Sequence, residues 1–251
     1  PDELNAYSPY VPGTEWVKDG IVLDVGAAGE EKHVTTPSIL KLSDGTYAMW
    51  YQGLGTDGHQ RIMKAVSNDG LAWTRSGIAL NYGEQYAEAG VMFPFVMIDD
   101  AGLYHMWYSG YNYKWRAILH ATSTDGTTWT KLGAELFFGD SFDLDGVASP
   151  RVHFDGTQWH MWYSGVLWYP DRDTICHAHK ASLSDPWIKD GTVLSNDGEY
   201  DNPVAWFPYV CPPRQVTTCF MADGPRSSIQ AGYAMPIQPM ACLGQRPESQ
   251  W

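Results

Sequence analysis

Four acidic side chains in this chain share a spacing that suits acid–base chemistry. Glu31 lies six residues before Pro37, Glu88 six before Pro94, Asp145 five before Pro150 and Asp201 seven before Pro208. Carboxylates brought together raise one another's pKa, which separates the roles of proton donor and base. The residues between the prolines supply further polar and aromatic groups that break the surrounding pattern: Asp57 and His59, then Tyr113, Trp115 and Arg116, then Trp168 and Asp171. His33 and Arg151 sit close to the first and third prolines. These seven, His33, Tyr113, Trp115, Arg116, Arg151, Trp168 and Asp171, are the expected ligand-binding set.

The elements that must hold these residues are legible as a repeat. The prolines step by 57, 56 and 58 residues. After each comes a short apolar run, a turn rich in Asp and Gly, and a second run: Tyr47-Ala-Met-Trp-Tyr51, Tyr104-His-Met-Trp-Tyr-Ser-Gly110 and Trp159-His-Met-Trp-Tyr-Ser-Gly165. A second half follows, with Ser67-Asn-Asp-Gly-Leu-Ala-Trp73 matching Ser123-Thr-Asp-Gly-Thr-Thr-Trp129. Each unit therefore reads as four short antiparallel strands, with tight Asp-Gly turns at one end and long loops at the other. Radial repetition of such units is the signature of a β-propeller.

We expect an all-β propeller with four repeats, about 33–88, 89–144, 145–200 and 201–235, and an irregular tail at 236–251. Residues 14–25 carry Trp16-Val-Lys-Asp-Gly-Ile-Val-Leu23, nearly a copy of Trp187-Ile-Lys-Asp-Gly-Thr-Val-Leu194. This N-terminal strand is expected to complete the last blade and close the ring; five blades are the alternative. The long loops then gather on one face, at the mouth of the central channel, where a site belongs.

Composition narrows the partner. Lys plus Arg is 16 and Asp plus Glu is 29, a net charge of −13. That sign repels phosphate backbones and anionic membrane surfaces, so neither nucleic acid nor membrane is expected. The 12 Trp and 15 Tyr suit stacking on sugar rings, so carbohydrate is the expected partner. The four cysteines show no C-x-x-C spacing and leave the redox compartment open, although Cys211 and Cys219 flank a turn that a disulfide could span. The expected setting is extracellular or periplasmic.

The Pro-led first strand, the Tyr-x-Met-Trp-Tyr-Ser-Gly second strand and the Ser-x-Asp-Gly-x-x-Trp turn resemble the five-bladed propeller glycoside hydrolases. That group includes arabinanases, β-xylosidases, invertases, levansucrases and the related mannoside phosphorylases. The resemblance implies carboxylate catalysis at the start of the innermost strands, with Glu31, Glu88, Asp145 and Asp201 as the catalytic set. It also implies a calcium or a histidine-lined water in the channel, and otherwise no cofactor. Many members place an Asp immediately before the proline; here those positions are Thr36, Phe93, Ser149 and Phe207. The Ser67–Trp73 turn also looks like a shortened sialidase Asp-box. A glycosidase on a neutral glycan is the first expectation, a carbohydrate-binding lectin the second and a protein-interaction scaffold the third. For a glycosidase, carboxylates about 5–5.5 Å apart would mean retention and about 6.5–9.5 Å inversion.

Overall fold

The tight turns are built by side chains as well as by glycine. In a computed structural model, which describes residues 17–168, 173–195, 207–209, 220–222 and 229–233, Asp44 Oδ1 accepts the N–H of Thr46 at 2.9 Å. Asp99 and Asp155 do the same for Leu103 and Gln158. Ser67 Oγ accepts the N–H of Gly70, while Asp69 Oδ1 accepts those of Leu71 and Ala72. Ser123 and Asp125 repeat this around Gly126. Such local bonds satisfy the backbone where the chain reverses.

Between these turns run fifteen strands among the described residues. The first is β1 (Val17–Leu23). The first unit is β2 (His33–Lys41), β3 (Tyr47–Leu54), β4 (Gln60–Ser67) and β5 (Thr74–Leu80). The second is β6 (Gly90–Ile98), β7 (Tyr104–Tyr111), β8 (Arg116–Ser123) and β9 (Thr130–Leu136). The third is β10 (Gly146–Phe154), β11 (Trp159–Val166), β12 (Thr174–Lys180) and β13 (Ile188–Leu194). Last come β14 (Phe220–Ala222) and β15 (Ile229–Tyr233).

Each unit is an antiparallel meander in sequence order, and a single parallel bridge, Gln60 to Gly90, links the first two sheets. β1 pairs antiparallel with β15, from Val17 opposite Tyr233 to Leu23 opposite Ile229, and β15 pairs with β14. The two strands farthest apart in sequence thus lie side by side.

The recurring tryptophans and methionines form the packing between units. Trp50, Trp107, Met49, Met106 and Met161 are fully buried. Trp50 donates Nε1–H to the Gly126 carbonyl of the second unit at 3.0 Å, and Lys64 reaches Thr127 beside it at 2.6 Å. The Gly that ends the Tyr-Ser-Gly pattern has a packing reason. A Cβ on Gly110 would come within 2.5 Å of the Tyr86 carbonyl oxygen, and one on Gly165 within 2.4 Å of that of Phe142. The long loop entering each unit presses directly on that backbone.

Each first strand also carries a bulge at its proline. Register slips between Thr35 and Ser38, between Met92 and Phe95, and between Ala148 and Arg151. The pre-proline residues Thr36, Phe93, Ser149 and Phe207 have φ of 48°, 53°, 54° and 60°, a left-handed conformation that L-residues avoid. The preceding unit holds it in place: Ser109 Oγ accepts the Ser149 N–H at 3.0 Å, and Ser164 Oγ accepts that of Phe207 at 3.3 Å. The serine of the Tyr-Ser-Gly pattern is therefore an inter-unit clamp.

Candidate functional site

The bulges bring the first strands together. The rings of Phe93 and Phe207, two repeats apart, meet edge to face with centroids 5.3 Å apart. Thr36 Oγ1 and Ser149 Oγ, at the equivalent places of the other two repeats, are buried without a hydrogen-bond partner among the described residues. One residue beyond its proline, Arg151 lies with its guanidinium 5.6 Å from the Phe95 ring centroid and donates to the Pro150 carbonyl at 2.8 Å. Burial pushes its pKa down to about 10, with Tyr209 opposing.

The expected carboxylates each belong to their own loop. Glu31 Oε2 accepts the N–H of Gly29 at 3.1 Å and that of Thr56 at 3.2 Å. Backbone N–H groups, its own foremost, hold its pKa below the usual glutamate value. Asp145 Oδ2 accepts the N–H of Trp168 at 2.8 Å. Glu88 is exposed and has no hydrogen bond or ion pair among the described residues. No bond joins any two of these three among the described residues, and Asp201 lies outside them, as does Asp171.

Glu88 and Asp145 lie just ahead of β6 and β10, six and five residues before their prolines, and those two strands pack against each other. The long loops carry exposed aromatic groups. Trp168 is 51% exposed and Tyr113 67%, the latter on a left-handed backbone at φ 71°. Trp115 is also open to solvent. It is 38% exposed, leans on Phe138 and carries Lys114 Nζ 4.2 Å from its ring centroid. Arg116 is drawn inward over the Tyr111 ring at 5.5 Å, and burial lowers its pKa. His33 is exposed at the start of β2, opposite Leu54.

Asp57 and His59 are committed to a cluster between the first two units. Asp57 pairs with Arg61, whose hydrogen bond holds the carboxylate well below its usual range. Arg61 lies 4.9 Å from the Tyr82 ring centroid, and His59 stacks on that same ring at 4.0 Å. His59 Nδ1 donates to the Ala89 carbonyl at 2.9 Å.

The buried carboxylates are ones the spacing argument passed over. Glu30 is fully buried, accepts the Tyr51 hydroxyl at 2.5 Å and pairs with Arg75. Asp143 is fully buried, accepts the Tyr163 hydroxyl at 3.0 Å and pairs with Lys189 at 2.6 Å. Both lie seven residues before their prolines, as Asp201 does, and that constant offset is the signal that finds them.

Cys176 is a free buried thiol, its pKa raised by burial. Cys211 and Cys219 lie outside the described residues. Among the described residues no three His, Cys, Asp or Glu side chains are grouped to hold a metal ion. One concavity, about 370 Å³, lies on the opposite, short-turn face beside Thr46, Asn68 and Thr74.

No protein-family model matches the chain. Over 130 residues it is 35% identical to an uncharacterised protein of Mycobacterium tuberculosis strain H37Rv, and 34% identical to one of strain CDC 1551. These matches span 48% of this chain and 43% of each relative, so the chain covers less than half the length of the curated relatives it matches. Among solved structures, a family 117 glycoside hydrolase of the marine bacterium Zobellia galactanivorans matches with a TM-score of 0.63 and 17% identity, over 72% of this chain and 63% of that one. A structure from family 130, whose mannoside phosphorylases include glycoside hydrolases that target β-1,2 mannosidic linkages in Candida mannan, matches at 0.60 with 18% identity, over 77% and 65%. A glycosyl hydrolase of Bacteroides ovatus matches at 0.60 with 19% identity, over 76% and 64%. The chain has the β-propeller fold of these glycoside hydrolases, as its repeats resembled.

Proposed function

We propose that the protein is carbohydrate-active, laying a neutral oligo- or polysaccharide across the long-loop face and hydrolysing it there. The observation that carries this reading is the bond from the Trp168 main-chain N–H to Asp145, which holds a carboxylate, at the head of an innermost strand, to the backbone of a residue whose side chain is exposed. A sugar stacked on Trp168 would place its linkages beside that carboxylate. In this reading Glu88, exposed and unbonded among the described residues, donates a proton to the leaving oxygen. Asp145 and Glu31, both accepting backbone N–H groups, serve as the ionised partners, with Asp201 the fourth candidate. The architecture proposed for the site is a ring of four units closed by β1, with five blades the alternative.

A second reading, sugar binding without cleavage, is favoured by the pre-proline positions. Thr36, Phe93, Ser149 and Phe207 put hydroxyls and phenyl rings, not carboxylates, where the first strands converge. The test is turnover of aryl glycosides, arabinan, xylan and mannan, with and without phosphate, by the native chain and by Glu88→Gln and Asp145→Asn variants. Hydrolysis by the native chain that falls about 10²-fold or more in either variant is expected. Glycan binding that survives both substitutions, with no turnover by the native chain, would replace the first reading with the second. Turnover only with phosphate would make the reaction phosphorolysis.

A further inference from the structure

A chain of side-chain hydrogen bonds crosses the second unit far from the loop face. Asp99 Oδ2 lies 3.3 Å from His105 Nε2, His105 Nδ1 lies 3.0 Å from His120 Nε2, and His120 Nδ1 lies 2.7 Å from Glu135 Oε1. Both imidazoles are 3% exposed, and their planes are within 17° of parallel with a nitrogen of each facing the other. Glu135 Oε2 then accepts Lys180 Nζ at 3.0 Å and Trp187 Nε1 at 2.8 Å, both from the third unit, and Trp107 Nε1 at 3.2 Å.

Counting protons fixes the charge of this chain. The two outer bonds end on carboxylate oxygens, which accept, so His105 Nε2 and His120 Nδ1 both carry hydrogen. The middle contact then needs one proton more. With none, two lone pairs would face each other at 3.0 Å; with two, N–H would face N–H. Two neutral imidazoles bring two protons, and the chain holds three.

We propose that His105 and His120 form one imidazole–imidazolium pair sharing a single proton, and that this pair is a pH-sensitive lock between the second and third units. The charged groups facing it are Asp99, Glu135 and Lys180, and with one positive charge on the pair the four sum to zero. Trp107 covers His120 face to face, with centroids 4.6 Å apart and planes within 2°, a placement that favours a cation. Burial pushes His105 down, and its hydrogen bond to Asp99 opposes this. Burial would raise Glu135, but the hydrogen bond and charge of His120 and the charge of Lys180 outweigh it and hold the carboxyl at about 2.

The sign of the pH dependence follows from linkage. Unfolded, the two histidines titrate independently near about 6.5. Well below that value the unfolded chain binds two protons here and the lock one, so stability falls as pH drops. Above it the unfolded chain binds none and the lock one, so stability falls as pH rises, until the shared proton leaves. Each limb changes the unfolding equilibrium constant about tenfold per pH unit.

The experiment is denaturant unfolding of the full chain from pH 4 to 9, native against His105→Phe and Asp99→Asn, beside imidazole ¹⁵N NMR of the native chain. A native-minus-His105→Phe difference that is bell-shaped in pH supports the lock. So does a loss of the shared proton at lower pH in Asp99→Asn, or one slowly exchanging proton bridging the two rings at pH 7. Two neutral rings at pH 7, or two rings that titrate independently in the folded chain, would overturn it. The spectra of the native chain decide the matter even where a variant fails to fold.

Discussion

The first and third units differ from the second at one buried position. In the first, the Tyr51 hydroxyl ends on Glu30, itself paired with Arg75; in the third, the Tyr163 hydroxyl ends on Asp143, paired with Lys189. In the second unit Ala87 stands where those carboxylates do, seven residues before its proline, and the Tyr108 hydroxyl is buried without a partner among the described residues. Lys131, the counterpart of Arg75 and Lys189, turns instead to Glu84 at 3.1 Å and to the Asn81 carbonyl at 2.9 Å. The sheet keeps its tyrosine whether or not the loop answers it. The strands are therefore held by packing, and the loop ahead of each unit is free to change its chemistry.

The sharpest way to break this comparison is to remove a carboxylate. Asp143→Ala takes the buried acceptor from the Tyr163 hydroxyl, leaves Lys189 with only the exposed Asp140, and removes the side-chain acceptor of the Gly139 and Asp140 N–H groups. It should cost about 3–5 kcal/mol in denaturant unfolding. A cost near zero would mean the second unit loses nothing by its alanine. Next, Gly110→Ala and Gly165→Ala should each cost about 1–3 kcal/mol, because the same loop backbone presses on both. Unequal costs would show that the second unit's loop is docked differently.

The finest test is phenylalanine at each tyrosine. Tyr163→Phe removes a hydroxyl that serves a buried carboxylate and should cost about 1–3 kcal/mol, and Tyr51→Phe likewise. Tyr108→Phe removes an unanswered hydroxyl and should be neutral or slightly stabilising. A clear loss at Tyr108 would reveal an acceptor for it and dissolve the contrast.

Much of the architecture was open to a reading of residues alone. The Asp-Gly turns, the strand pairs and the buried Trp-Met pattern follow from periodicity and turn chemistry, which are local. The match between Trp16–Leu23 and Trp187–Leu194 is a match of sequence, and the N-terminal β1 pairs with β15. The site was harder because adjacent residues in a loop point to different places. Glu30 is buried while Glu31 caps a neighbouring loop, and Asp143 is buried while Asp145 holds Trp168. Only the fixed offset to the proline separates them. His105 and His160 recur within the second-strand pattern, yet their partners His120 and His177 come from the next strand and lie diagonally across the ladder, where His105 stands opposite Thr122 and His160 opposite His179.

The bulge ahead of each proline has an implication for how such a protein can change. Its backbone strain is borne by Thr, Phe, Ser and Phe alike, and where Ser109 and Ser164 clamp it they grip a main-chain N–H that any of these residues supplies. The identity of the side chain is thus uncoupled from the conformation that displays it. The same backbone conformation displays a hydroxyl in two units and a phenyl ring in two others, and the two phenyl rings meet.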